Sequence, residues 1–338
     1  MKSNKFNFIF ISIASIVMLL FVYFTNDMTK LITVIKNARL SWLMVGFLCM
    51  LLYWLLESGV LYCTANSIKR RLSFLKAFQT TMVGQLFNNI TPFASGGQPM
   101  QLYYLTQEAF HLGEASSILL MKFIVYQGSL VIYSTIMLIG RFSFFMGQIS
   151  KIGYLVFIGF GVNVLVIIGL IMIGYYPKIT TKLVKGILVI LSRMHIVKNI
   201  ELSTQKAVKH ITEFHCGFKI LMNQKRVLLR TILISTLQLT AFFAIPYCIC
   251  MALNIVNVPF FSILAASSFV LMVSSFVPLP GASGGAEGSF YLFFGIFFVE
   301  PGLVAIAIIF WRLITFYLPV FVGIFFCQFK KGKSTNIV

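Results

Sequence analysis

Val277-Pro278-Leu279-Pro280-Gly281-Ala282-Ser283-Gly284-Gly285-Ala286-Glu287-Gly288-Ser289 interrupts a region otherwise apolar enough to lie in a membrane. Proline removes a backbone donor and glycine adds chain entropy, so two prolines and four glycines do not continue a helix cheaply. In hydrocarbon, backbone groups freed in this way survive only when buried in protein or facing a water-filled cavity. A second interruption lies far upstream, at Thr91-Pro92-Phe93-Ala94-Ser95-Gly96-Gly97-Gln98-Pro99. The helix-breaking residues are Pro92, Gly96, Gly97 and Pro99 in one, and Pro278, Pro280, Gly281, Gly284, Gly285 and Gly288 in the other.

Around these breaks the 338-residue chain is 59% hydrophobic and 10% charged, with a mean hydropathy of +0.94. A soluble domain needs about a quarter charged residues, so the composition defines an all-α, polytopic integral membrane protein. The net charge of +19 does not indicate nucleic-acid binding, because the basic residues cluster between apolar runs as positively charged cytoplasmic loops do. The six cysteines (Cys49, Cys63, Cys216, Cys248, Cys250, Cys327) form no disulfide framework and read as small apolar filler. No cofactor or metal constellation, nucleotide loop or nucleophile–base pair is present in the sequence.

Six spans are expected, at 7–24, 41–64, 114–140, 152–175, 227–251 and 302–328. Each is long enough, at ~1.5 Å per residue, to cross ~30 Å of hydrocarbon. The first follows Lys2 and Lys5 like a signal peptide but lacks a clear small-x-small cleavage site, and is read as a retained helix. Residues 73–110 and 259–299 read as helix–break–helix, two re-entrant hairpins that each enter and leave on one side. Residues 176–226 form a basic insertion in which Val208, Ile211, Phe214, Phe218 and Leu221 recur at spacings of three and four, the stripe of an amphipathic helix on the membrane face.

With the N-terminus inside, 19 of the 27 Lys and Arg residues fall in inside segments and five in outside loops. This split puts both termini in the cytoplasm. The same topology turns 41–140 and 227–328 into two units of span, broken hairpin and span, upside-down relative to each other. Inverted repeats with interrupted segments at matching positions point to a transporter's binding site. The two breaks are expected to meet near the midplane within a single membrane domain covering the whole chain.

Each break starts a new helix, at about Pro99 and about Ala286. Two helix N-termini meeting in a low-dielectric cavity make an anion site; the alternative is that the breaks serve packing alone. Lys122 and Arg312 lie deep in their spans, 25 and 27 residues after Gly97 and Gly285. A buried cation costs several kcal/mol in a bilayer, so both are candidates for the cavity, with snorkelling as the alternative. Glu287 either pairs with Arg312 or carries a proton. Gln85, Asn88, Asn89, Gln98, Gln101 and Gln127 line a headgroup cavity or satisfy broken backbone. Glu57, deep in the second span, is a weaker candidate for the role of Glu287, the alternative being a carboxylate near the cytoplasmic interface.

Two runs carry a family resemblance: Gly84-Gln85-Leu86-Phe87-Asn88-Asn89-Ile90-Thr91-Pro92-Phe93 with Gly96-Gly97-Gln98-Pro99, and Pro278-Leu279-Pro280-Gly281 with Gly284-Gly285-Ala286-Glu287-Gly288, Arg312-Leu313 and Pro319. Together they resemble the lysylphosphatidylglycerol synthase transmembrane region, the flippase-like half of the multiple peptide resistance factor, over nearly the whole chain. The resemblance implies moving or presenting phospholipids with polar, for instance aminoacylated, headgroups across the bacterial cytoplasmic membrane. It also implies a link to antibiotic resistance. Many members carry Glu-Arg where this chain has Met121-Lys122, which removes the acidic neighbour from that position. The lysyl-transferring enzyme needs a cytosolic catalytic domain, and the sequence ends at Val338, so transferase activity is not expected.

Three functions fit these residues. A lipid flippase or transporter holds an anionic headgroup between the breaks. A membrane enzyme or enzyme subunit of lipid modification uses the same cavity with Glu287 as acid or base. An ion or solute transporter fits the repeats equally well. The expected partners are membrane lipids rather than nucleic acid, with a homo-oligomer or a partner lipid-modifying enzyme both compatible.

Overall fold

The computed structural model describes residue 34 and residues 36–68, 72–108, 110–148, 153–193, 200–275, 277–298 and 300–327. Among them there is no strand. The helices run α1 Leu40–Asn66, α2 Phe74–Ile90, α3 Gly97–Gln107, α4 Leu112–Gln148, α5 Gly153–Tyr175, α6 Pro177–Arg193, α7 Ile200–Asn223, α8 Lys225–Ala252, α9 Phe260–Ser274, α10 Gly285–Phe294, α11 Pro301–Arg312 and α12 Leu318–Phe326. Five stretches are long and apolar enough to cross a membrane: Leu40–Asn66, Leu112–Arg141, Ile158–Tyr175, Lys225–Ala252 and Gly302–Phe326. They coincide with five of the six expected spans. The sixth, at 7–24, lies outside the described residues, as do Lys69, Arg70, Arg71 and the basic C-terminal residues.

The core is the antiparallel pair α1 and α8, the most extensive helix contact in the bundle. Gly46 of α1 admits the Cβ of Cys248 and the tip of Ile314. At one end the Gln224 amide donates to the Ser67 carbonyl at 3.1 Å. At the other, Arg39 N donates to Ala252 O at 2.9 Å and Asn254 Nδ2 donates to Asn37 O at 3.2 Å. Phe269, Phe290, Phe293, Phe294 and Trp311 fill the space between α8, α9, α10 and α11. Many large side chains on the outside of the spans, such as Leu48, Ile136, Leu165 and Leu233, are exposed. An apolar surface of this kind suits lipid as its surroundings.

The two interruptions share their backbone over Thr91–Ala94 and Leu279–Ala282 and then diverge, Ser95 and Gly96 staying right-handed at ψ −18° and −21° while Ser283 is at ψ 140° and Gly284 at φ 84°. Thr91 and Leu279 are extended, at φ −115°, ψ 147° and φ −114°, ψ 149°, as residues before proline favour. Pro92 and Pro280 then open single 3-10 turns in which Phe93 and Gly281 sit at φ 54° and φ 59°. Ala94 and Ala282 follow, both at φ 52°. Ser95 and Ser283 each donate their hydroxyl to the carbonyl of the turn proline, at 2.8 Å in both cases. The two turns touch one another.

Helix pairing around the turns is also matched. α1 packs on α2 and α8 on α9; α2 packs on α12 and α9 on α4; α3 packs on α4 and α10 on α11. The 11 residues of α3 and the 10 of α10 reach only about 16 and 15 Å at the rise of a helix, half the ~30 Å of a bilayer core.

One expectation needs correction. Residues 176–226 hold two helices, α6 and α7, and of the expected stripe on α7 Phe214, Phe218 and Leu221 are buried in the bundle, whereas Ile211 is half-buried and Val208 exposed. Glycines permit that approach: a side chain at Gly113 would strike the His210 carbonyl and Glu213, and one at Gly217 would strike Ser117. The last span carries a π-turn over Leu313–Tyr317 between α11 and α12, within the unbroken helical stretch Gly302–Phe326, a feature common at functional sites.

Candidate functional site

Between the spans and the two turns lies a cavity of about 840 Å³. Of the residues expected at the site, Gln85, Asn88, Asn89, Gln98, Lys122, Gln127 and Arg312 line it. Glu287 stands behind Arg312 rather than on the wall. The new helices begin at Gly97 and Gly285, slightly earlier than Pro99 and Ala286.

Two buried ion pairs dominate the electrostatics. Lys122 Nζ lies 2.7 Å from Glu57 Oε1, with both side chains largely buried. Lys122 also donates to Gln101 Oε1 at 3.3 Å, and Gln85 Nε2 donates to the other Glu57 oxygen at 2.6 Å. The carboxylate that serves Lys122 therefore comes from α1, 65 residues away in the chain, and not from the position before it. Glu57 is a member of the cavity wall rather than an interfacial carboxylate.

Arg312 is held from three sides. Its Nε donates to Glu287 Oε1 at 2.7 Å and its Nη1 to the Gly281 carbonyl at 2.9 Å. Its guanidinium lies 5.0 Å from the Trp311 ring centre and 5.6 Å from that of Phe316. Nη2 is buried without a hydrogen-bond partner among the described residues, although the residue is only 5% exposed. A buried unpaired donor costs about 1–3 kcal/mol, so Nη2 is an unsatisfied donor on a residue of the cavity wall.

Pairing of Glu287 with Arg312 is one of the two alternatives the sequence leaves open for Glu287, whereas the Glu57–Lys122 pair was not foreseen. Each of the two cations has a carboxylate, because an isolated buried charge is too costly to leave unmatched. The amides of the residues that cap the two new helices are also engaged. Gly284 N donates to Glu287 Oε2 at 2.7 Å, and Gly96 N donates to Thr91 Oγ1 at 2.8 Å. The cavity thus carries paired charges and amides on a wall that is otherwise largely apolar, with Leu119, Phe123, Val162, Phe242, Val270 and Phe290 among its lining.

Other lining groups were not singled out from sequence. Asn163, the one amide of α5, accepts from Gln127 Nε2 at 3.0 Å and donates to the Gly159 carbonyl at 2.7 Å. Tyr53, Tyr126, Ser235 and Gln238 complete the wall near Glu57. Single polar residues inside apolar spans were their signal. The matched hexapeptides Pro92-Phe93-Ala94-Ser95-Gly96-Gly97 and Pro280-Gly281-Ala282-Ser283-Gly284-Gly285 would have aligned the two turns residue by residue. Among the described residues no group of three or more His, Cys, Asp or Glu is placed to hold a metal.

A helical membrane protein with a polar chamber walled by paired charges is the class that this fold and site define. The chain belongs to the Lysylphosphatidylglycerol synthase TM region family, whose pattern matches residues 9–323, and is thereby tied to lipid handling. It is also similar to a UPF0104 membrane protein of Archaeoglobus fulgidus, with 26% identity over 329 residues, covering 96% of this chain and 97% of the relative.

Proposed function

We propose that the protein moves or presents a phospholipid with a polar headgroup across the bacterial cytoplasmic membrane. The headgroup occupies the cavity while the acyl chains stay in the bilayer. The observation that carries this reading is the cavity itself: about 840 Å³ walled by amides, hydroxyls and two buried ion pairs inside helices apolar enough to span. Desolvating a headgroup costs far more than lipid tails return, so its passage needs a preorganised polar chamber at that depth. The lipid's phosphate would accept from Arg312 Nη2, and its remaining polar groups would exchange hydrogen bonds with Gln85, Gln127 and Asn163.

The architecture we infer is an inverted repeat, with α2–α3 and α9–α10 as hairpins re-entering from opposite faces. The matched turn dihedrals, the pairwise helix contacts and the short α3 and α10 support it. Several basic side chains, among them Lys178, Lys182, Lys185, Lys219, Lys225 and Arg226, are exposed near the ends of α5 and α7 and the start of α8. They support a cytoplasmic placement of that end and of both termini.

Reconstitution into liposomes with a headgroup-labelled phospholipid and an outer-leaflet quencher tests the function. Wild type should expose the inner-leaflet label at least tenfold faster than protein-free liposomes, and Arg312→Ala and Glu287→Gln should lose most of that rate. Equal rates with and without wild-type protein would end the proposal.

A further inference from the structure

Hydrogen-bond capacity around the cavity narrows the class of headgroup that it suits. Among the described residues two carboxylates stand there, Glu57 on the wall and Glu287 behind Arg312. All four of their oxygens are engaged. Glu57 accepts from Lys122 at 2.7 Å and from Gln85 at 2.6 Å. Glu287 accepts from Arg312 Nε and from Gly284 N, both at 2.7 Å.

The cations are less fully engaged. An ammonium has three donors and a guanidinium five. Lys122 directs its ammonium to Glu57 and Gln101, and Arg312 its guanidinium to Glu287 and the Gly281 carbonyl. Arg312 Nη2 has no partner among the described residues. Charge is therefore matched, whereas the capacity left on the charged groups is donor capacity. A phosphodiester, a single anion that only accepts, answers it. A lipid ammonium brings more donors and a third cation, and would have to draw Glu57 away from Lys122, leaving that buried cation unmatched.

The polar wall beside these pairs is neutral. Asn88 and Asn89 are half-buried and Ser95 and Gln98 exposed, all four on the cavity around the first turn. That turn touches the second, to which Arg312 is tied through Gly281. Amides and hydroxyls both donate and accept, and so do the hydroxyls of a polyol.

We propose that the cavity selects a phospholipid whose phosphate is esterified to a neutral polyol over one whose headgroup ends in an amine. Arg312 donates to the phosphate, and Asn88 and Gln98 exchange hydrogen bonds with the polyol hydroxyls. This inference rests on the reading of the cavity as a headgroup site.

The test measures retention of radiolabelled lipid by the full-length protein in detergent. The lipids are phosphatidylglycerol, phosphatidylinositol, phosphatidylethanolamine, lysyl-phosphatidylglycerol and phosphatidylethanol. Phosphatidylethanol carries the same single charge as phosphatidylglycerol and no hydroxyl, so it corrects for attraction to the basic surface. One or both polyol lipids should bind at least fivefold more tightly than phosphatidylethanol, about the worth of one net hydrogen bond. Whichever binds identifies the polyol. The same lipid should exceed both amine lipids by at least fivefold. The Asn88→Ala, Gln98→Ala double variant should bring the ratio of polyol lipid to phosphatidylethanol close to one. Lys122→Met leaves Glu57 without its cation and should at least triple the affinity for lysyl-phosphatidylglycerol relative to phosphatidylglycerol.

Equal retention of the polyol lipids and phosphatidylethanol, tighter retention of an amine lipid, or a polyol preference unchanged in the double variant would overturn the proposal. A protein that retains polyol lipids selectively but moves no lipid in liposomes would end the transport reading and leave this one standing. One that moves lipid and retains lysyl-phosphatidylglycerol most tightly would do the reverse.

Discussion

Replacing Glu287 with glutamine keeps the shape of the side chain, removes its charge and turns one of its two accepting oxygens into a donor. Arg312 is 5% exposed and would then be a buried cation with no carboxylate. The lost attraction is about 4 kcal/mol for charge centres about 4 Å apart at an effective dielectric of about 20. That agrees with the roughly 3–5 kcal/mol typical of breaking a buried pair by removing one partner. The Gly284 amide keeps an acceptor in the glutamine carbonyl, so little is added there. Arg312→Met should cost less, about 1–2 kcal/mol. It removes the buried cation together with its unpartnered Nη2, and leaves a carboxylate that is 23% exposed and still accepts from Gly284 N. The double variant Glu287→Gln, Arg312→Met should therefore be more stable than Glu287→Gln alone, with a coupling of about 3 kcal/mol. Reversible unfolding in mixed micelles, followed by helical ellipticity across a denaturing-detergent titration, measures all three. A Glu287→Gln cost below about 1 kcal/mol, or a double variant equal to the sum of the singles, would refute the claim that this pair is a desolvated unit.

The Lys122–Glu57 pair should behave in the same way: Glu57→Gln costs about 3 kcal/mol, and Lys122→Met in the same chain recovers most of it in the same titration. Phe93→Gly should stabilise by about 0.5–1 kcal/mol, because it removes a left-handed penalty of about 1–2 kcal/mol from a side chain that is 61% exposed, offset by glycine's greater unfolded-state entropy. At the matched position Gly281→Ala should destabilise by more than 1 kcal/mol, since its Cβ would enter the Phe316 ring at positive φ; a destabilised Phe93→Gly or an unchanged Gly281→Ala would refute the shared left-handed turn. Gly97→Ala should cost about 1–3 kcal/mol by overpacking, because the added methyl meets Asn88 Oδ1 and the Gly84 carbonyl; an unchanged midpoint would show that α2 and α3 are not tightly crossed there.

The membrane class, the spans and the two interruptions were legible along the chain, because each is local. An apolar run of more than twenty residues has little choice but to span, and proline followed by glycine ends a helix wherever it stands. The depth of Lys122 and Arg312 in their spans likewise marked them as inward-facing, since a cation facing lipid is costly. The partner of Arg312 was legible as one of two alternatives for Glu287, but the partner of Lys122 was not. Glu57 reaches Lys122 only after α1 and α4 have packed side by side. Periodicity identified the apolar stripe of α7, but a stripe reads alike against lipid and against protein. Gly113 and Gly217, by letting backbones approach, decided in favour of protein. Tertiary packing also matched Lys122 with a carboxylate from a distant helix, because desolvation penalises an unpaired charge more severely than any local preference favours it.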